Sequence, residues 1–174
     1  HLAERNRVWV IAHGFARPLV EQYMHDHPRP NLHFIWVGPL GWWDPWKDPT
    51  PTKARGLRLH YLLWRHAAVA AAQRLMAMES IDIVHHVSWT SISAPPLLWR
   101  TGKPFVWGPI GGGQVLPWRF LTSVGRTAVL ELLRNLRVGI MPWTPRLRRT
   151  VARTDLLLAA NSESASVLRR AGAG

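Results

Sequence analysis

The chain has 174 residues, which suits one domain of ordinary size with a real buried core. It contains no cysteine, which excludes disulfides and thiolate metal sites and fits a cytosolic setting. Its formal charge of +12, from 22 basic and 10 acidic residues, implies an anionic partner: nucleic acid, nucleotide or an acidic membrane surface.

Taken in order, Val8 to Ala12 is a continuous apolar run that ends at His13-Gly14, the pattern of a buried parallel strand. Pro18 suits the first turn of a helix from Leu19 to about His25, and Asn31 to Val37 forms the next strand before Gly38-Pro39 stops it. Leu40 to Thr52 sets Trp42, Trp43 and Trp46 among prolines and reads as a loop. From Leu57 to Met78 the apolar positions Leu59, Leu62, Leu63, Val69, Ala70 and Leu75 recur at helical spacing, predicting a long surface helix. Gln73 and Arg74 interrupt its alanine run, so no apolar stretch is long enough to span a bilayer. Ile81 to Val87 reads as a strand, and Ser93 to Arg100 as a short helix with Pro95 and Pro96 in its first turn. Phe105 to Trp107 is a strand that runs into the glycine-rich segment Gly108-Pro109-Ile110-Gly111-Gly112-Gly113-Gln114. Trp118 to Val138 reads as one or two helices, and Pro142 with Pro145 separates them from a basic segment, Arg146 to Arg153. Asp155 to Ala160 is the last strand, followed by a helix that Asn161 or Ser162 can cap and whose N-terminus Glu163 suits. The chain begins with His1 and ends on Ala171-Gly172-Ala173-Gly174 just after this pattern, so it reads as an excerpt of a longer protein.

Alternating strands and helices predict an α/β, Rossmann-like parallel sheet flanked by helices, in which ligands gather at the carboxyl ends of the strands. The loops at His13-Gly14, His85 to Ser91, Gly108 to Gln114 and Asn161 to Glu163 all follow predicted strands. In the glycine loop, main-chain N–H groups can approach a phosphate or sugar without side chains in the way. It matches neither the dinucleotide nor the P-loop fingerprint, and a sharp strand-to-helix turn explains three glycines equally well. His85 and His86 must face opposite sides of the sheet, so one can meet a ligand while the other packs against a helix, and no third residue completes a metal site. Arg146, Arg148, Arg149 and Arg153 form either a solvated face or a surface for anionic lipid head groups. The eleven tryptophans suit core packing, an interfacial surface or carbohydrate stacking. No recognition helix or base-stacking motif is found, so nucleic acid is not an expected partner.

Three segments carry a resemblance: Asp82-Ile83-Val84-His85-His86-Val87, then Pro104 to Gly113, then Asp155 to Ser164. Together they resemble the N-terminal half of the retaining glycosyltransferases of family four, which have GT-B architecture, two Rossmann-like domains across a cleft. On that resemblance, residues 1–174 are one partial Rossmann-like domain that lacks its first strand and the C-terminal donor domain. The resemblance implies transfer of a sugar from a nucleotide-sugar donor to a cell-envelope lipid or glycan with retention, by a protein that is cytoplasmic and peripheral on the inner face of the membrane. It implies no cofactor or metal, with the nucleotide sugar as substrate. His85 is the expected catalytic residue; His13, Gly108, Gly111, Gly112, Gly113, Gln114, Ser162 and Glu163 are the expected substrate-binding residues. The sequence departs from the family at Val87, where many members carry a second histidine. The alternative is a non-catalytic sugar- or nucleotide-binding module of the same fold.

Overall fold

The computed structural model describes residues 2–38, 56–89, 91–117, 119–120, 125 and 127–174. The tryptophan-rich stretch from Leu40 to Thr52 and the start of the helical region at Trp118 lie outside the described residues. The chain is mixed α/β, with two small parallel sheets flanked by helices, and it divides into two compact units, His1–Ser80 and Ile81–Gly174. Among the described residues, no helix is long and apolar enough to cross a membrane.

The first unit runs α1 (Leu2–Arg5), β1 (Val8–His13), α2 (Arg17–Asp26), β2 (Leu32–Val37) and α3 (Leu57–Met78). β1 and β2 pair in parallel over their whole length, from Val8 opposite Leu32 to His13 opposite Val37. Pro18 sits in the first turn of α2, where its missing N–H costs nothing. The bounds of α3 match the periodic stretch in the sequence, but its buried stripe differs from the aliphatic one. His60, Tyr61, Trp64, Ala68, Val69, Ala72 and Leu75 are buried, whereas Leu59 and Leu63 are exposed. Small and aromatic side chains let the helix approach closely, and Trp64 Nε1 donates to the Val37 carbonyl at 3.3 Å. Arg7 and Glu79 form an ion pair of 3.0 Å across the same unit.

The second unit contains β3 (Val84–His86), β4 (Phe105–Ile110), α4 (Ala128–Ile140), α5 (Pro145–Val151), β5 (Leu156–Ala159) and α6 (Ser162–Arg170). Its sheet has the order β3-β4-β5, all parallel. β3 is shorter than the predicted Ile81 to Val87. Its partner ladder starts at Phe105, because Pro104 has no N–H to extend the pairing. β4 is longer than predicted and takes in Gly108 and Pro109, which the sequence assigns to a loop. Between Trp107 and Ile110 its register against β5 slips by a bulge, and Gly108 there has φ of 150° with an ideal Cβ only 2.5 Å from Leu158 Cβ. Only glycine fits. The helix expected from Ser93 is reduced to a 3-10 turn at Leu98–Thr101, since the consecutive prolines remove donors and disfavour helical backbone at Pro95.

One face of this sheet carries the core. Phe105, Trp107 and Ile110 of β4 pack with Ile92, Val138, Leu147, Val151, Val167 and Leu168, which gathers α4, α5 and α6 onto the same side. Asp155 ties the strand starts together, accepting the Phe105 N–H at 2.8 Å.

Candidate functional site

β4 delivers the chain to Gly111 at the carboxyl end of the sheet. There the segment after β3 lies alongside it: Ser91 bridges Gly111 in parallel, and Ile92 N–H donates to the Gly111 carbonyl at 3.1 Å. Ile92 is fully buried, so this link is anchored in the core. Gly112 has φ of 85°, the left-handed region that suits glycine, and its ideal Cβ would meet Ser91 Oγ at 3.0 Å. Gly113 faces α6. Its N–H donates to Ser164 Oγ at 3.1 Å, and an added Cβ would lie 2.6 Å from Ser164 Cα. Asn161 caps α6, accepting the Ser164 N–H at 2.8 Å.

This arrangement alters the expected chemistry of the loop. The amides do not form an open row of donors, because Gly113 N–H is taken by Ser164 and Gly112 N–H by Gln114 Oε1 at 3.2 Å. Side chains line the space instead. A cavity of about 400 Å³ is bounded by Ser91, Ser93, Gly112, Gln114, Arg134 and Arg137, with Val138 and Met141 completing its wall. Ser91 Oγ and Ser93 Oγ are 2.9 Å apart, and Ser91 Oγ also accepts the Ser93 N–H at 3.2 Å. Arg134 donates to the Gln114 carbonyl at 3.3 Å and pairs with Glu131 at 2.9 Å. No hydrogen bond or ion pair of the Arg137 side chain is found among the described residues.

Of the residues expected from the sequence, Gly112 and Gln114 line this cavity. Gly108 and Gly111 serve the bulge and the bridge to Ser91. Ser162 and Glu163 stand exposed in the first turn of α6, where Ser162 donates to Glu163 Oε2 at 3.2 Å. His85 does not line the cavity; its Nε2 donates to the Gly108 carbonyl at 2.9 Å. As expected from alternation, His86 takes the opposite side and is buried, at 7% exposure. Burial pushes its pKa down to about 4, with a backbone hydrogen bond at Ser88 opposing and the neighbouring His85 adding to the shift. His13 belongs to the first unit, where its Nδ1 accepts the Phe15 N–H at 3.2 Å and its ring meets His60 edge-on with centroids 5.2 Å apart.

In the basic segment, α5 buries Leu147, Thr150 and Val151, and Arg146, Arg148 and Arg149 are exposed on its solvent side. Arg153 lies beyond the helix end, with its guanidinium 5.9 Å from the Trp99 ring centroid. Ser91, Ser93, Arg134 and Arg137 converge through tertiary folding from two segments about forty residues apart. The signal in the sequence is the i, i+3 pair of arginines, which places both on one flank of a helix. Comparison with protein-family models, with curated proteins and with solved structures finds no match for this chain.

Proposed function

We propose that the chain forms the acceptor-side half of a glycosyltransferase that moves a sugar from a nucleotide-sugar donor to a cell-envelope lipid or glycan, with retention. The observation that carries this reading is the cavity at the carboxyl end of β4, where two serine hydroxyls, a carboxamide and two guanidiniums converge. Hydroxyls and carboxamides exchange hydrogen bonds with sugar hydroxyls in both directions. Guanidiniums bind phosphate oxygens through paired N–H groups, and among the described residues nothing occupies the Arg137 donors. Ligand sites of parallel α/β sheets lie at this end of the strands. The resemblance of the three strand-and-loop segments to retaining family-four enzymes supplies the reaction class.

In this reading the glycines shape the cavity and the surrounding side chains contact the ligand. Gly112 lets the chain turn beside Ser91, and Gly113 lets α6 approach, which together hold Gln114 at the cavity. The test is release of nucleoside diphosphate from common nucleotide sugars by the intact protein, with calorimetry for binding of the diphosphates. Arg137→Gln and Ser91→Ala are expected to lower kcat/KM by about tenfold each, the size of one charge-assisted or one buried hydrogen bond. Absence of both turnover and nucleotide binding with every common donor would remove the proposal.

One observation favours the second reading, a non-catalytic sugar-binding module: His85, the expected catalytic residue, spends Nε2 on the Gly108 carbonyl. His85→Gln separates the two, because a carboxamide can still donate to that carbonyl but has no imidazole base. Turnover unchanged in that variant assigns His85 to positioning, and saccharide binding without any turnover in the wild type supports the module.

A further inference from the structure

Helix α4 is turned the wrong way round for a helix that covers a core. At about 100° per residue, Val129, Leu132, Leu133, Leu136 and Ile140 fall within one arc of about 100°. All five are between 42% and 64% exposed. The side facing the protein carries Val138, which is buried, together with the partly buried Glu131 and Asn135. Asn135 fixes that side, accepting the Leu116 N–H at 3.0 Å and donating to the Leu116 carbonyl at 2.7 Å. The helix is therefore held by these polar contacts and by Val138 in the core, while its aliphatic arc points to solvent.

We propose that α4 is an interfacial helix that seats this protein on an anionic bilayer. The occupant follows from what borders the arc. Arg137 lies about 40° beyond the arc, and exposed Leu130 and Arg134 follow on the same flank. Glu131 is already paired with Arg134, and Trp143 is exposed just after the helix end. A large apolar arc, arginines on its flank and a terminal aromatic are the features of helices that lie in the plane of a membrane interface. A chain of +12 is attracted to phosphatidylglycerol-type head groups and repels a second copy of itself. Arg134 and Arg137 also line the cavity beside Ser91, so the same seating brings that cavity to the level of the lipid phosphates. The inference stands on the exposure of α4 and does not require the glycosyl-transfer reading.

The experiment is co-sedimentation of the intact protein with vesicles of phosphatidylcholine alone or with one-third phosphatidylglycerol, without donor sugar. Binding is expected for the anionic vesicles and weak for the neutral ones. Leu133→Ser/Leu136→Ser should weaken it by at least about tenfold, and Arg134→Gln/Arg137→Gln by about twentyfold. All four residues are exposed, so thermal melting of the variants serves as the folding control. Because the chain has no cysteine, Val129→Cys and Arg148→Cys can each carry one environment-sensitive dye. A blue shift at position 129 and none at 148 is expected. Equal binding to both vesicle types, a shift at 148 alone, or concentration-dependent self-association that the leucine variant abolishes without vesicle binding would overturn the proposal. Nucleotide binding is measured separately, so failure here leaves the functional reading standing, and the converse holds.

Discussion

Adding a single methyl group to the glycine loop should unseat α6. In Gly113→Ala the new Cβ would lie 2.6 Å from Ser164 Cα and 2.7 Å from Ser164 N, both backbone atoms that cannot swing aside. Comfortable carbon contacts need at least about 3.5 Å, so the loop and α6 must separate by about 0.9 Å. Overpacking of this kind costs about 1–3 kcal/mol. The separation also weakens the buried hydrogen bond from Gly113 N–H to Ser164 Oγ, for about another 1 kcal/mol. Alanine recovers about 0.4–1 kcal/mol by restricting the unfolded chain, leaving a net loss of about 1–3.6 kcal/mol. For a chain of this length that lowers the melting temperature by roughly 2–14 °C. Thermal unfolding followed by circular dichroism reads it, with Ser164→Ala and the double variant completing a cycle. Strong non-additivity is expected, because both changes act on one contact. A Gly113→Ala protein that melts within a degree of the wild type would show that the loop does not seat α6.

Two further predictions concern groups around the same sheet. His86 is neutral when folded, because burial lowers its pKa to about 4, while the unfolded chain takes up a proton near 6.5. Its contribution is therefore complete above about pH 6.5 and is lost as pH falls toward 4, on the order of 3 kcal/mol in all. Urea titrations across that range should show the decline, and His86→Phe should flatten it; an equally steep decline in the variant would assign the acid sensitivity elsewhere. Asn135→Ala removes both bonds to Leu116 and should cost about 1–3 kcal/mol, with faster amide exchange concentrated in α4. Unchanged exchange in α4 would count against a polar attachment of that helix.

Local patterns in the sequence identify most elements. Val8 to Ala12 forms a parallel strand as expected, though a partly buried one, and the periodicity from Leu57 to Met78 ends where Glu79 turns extended. Errors arise where a residue's role depends on a distant partner. Gly108 and Pro109 read as loop residues, yet the bulge against Leu158 keeps them in β4. Leu59 and Leu63 look like the inner stripe of α3, but the tighter approach favours Ala68 and Ala72. The glycine loop is legible as a candidate site by its position after a strand; its amides are not legible as occupied, since Ser164 reaches Gly113 across 51 positions. The cavity's serines and arginines belong to no local motif. Only the fold brings them together.

The bond from His85 to Gly108 has a consequence of its own. A carbonyl oxygen only accepts, so Nε2 must carry the hydrogen, and the tautomer of the neutral ring is fixed with a bare Nδ1. On the other side of the strand His86 is buried, and burial disfavours its charged form. Two adjacent imidazoles thus serve opposite sides of one strand, one as a tether from β3 to the bulge in β4 and the other as a neutral buried ring. Acidification loosens the buried side through His86.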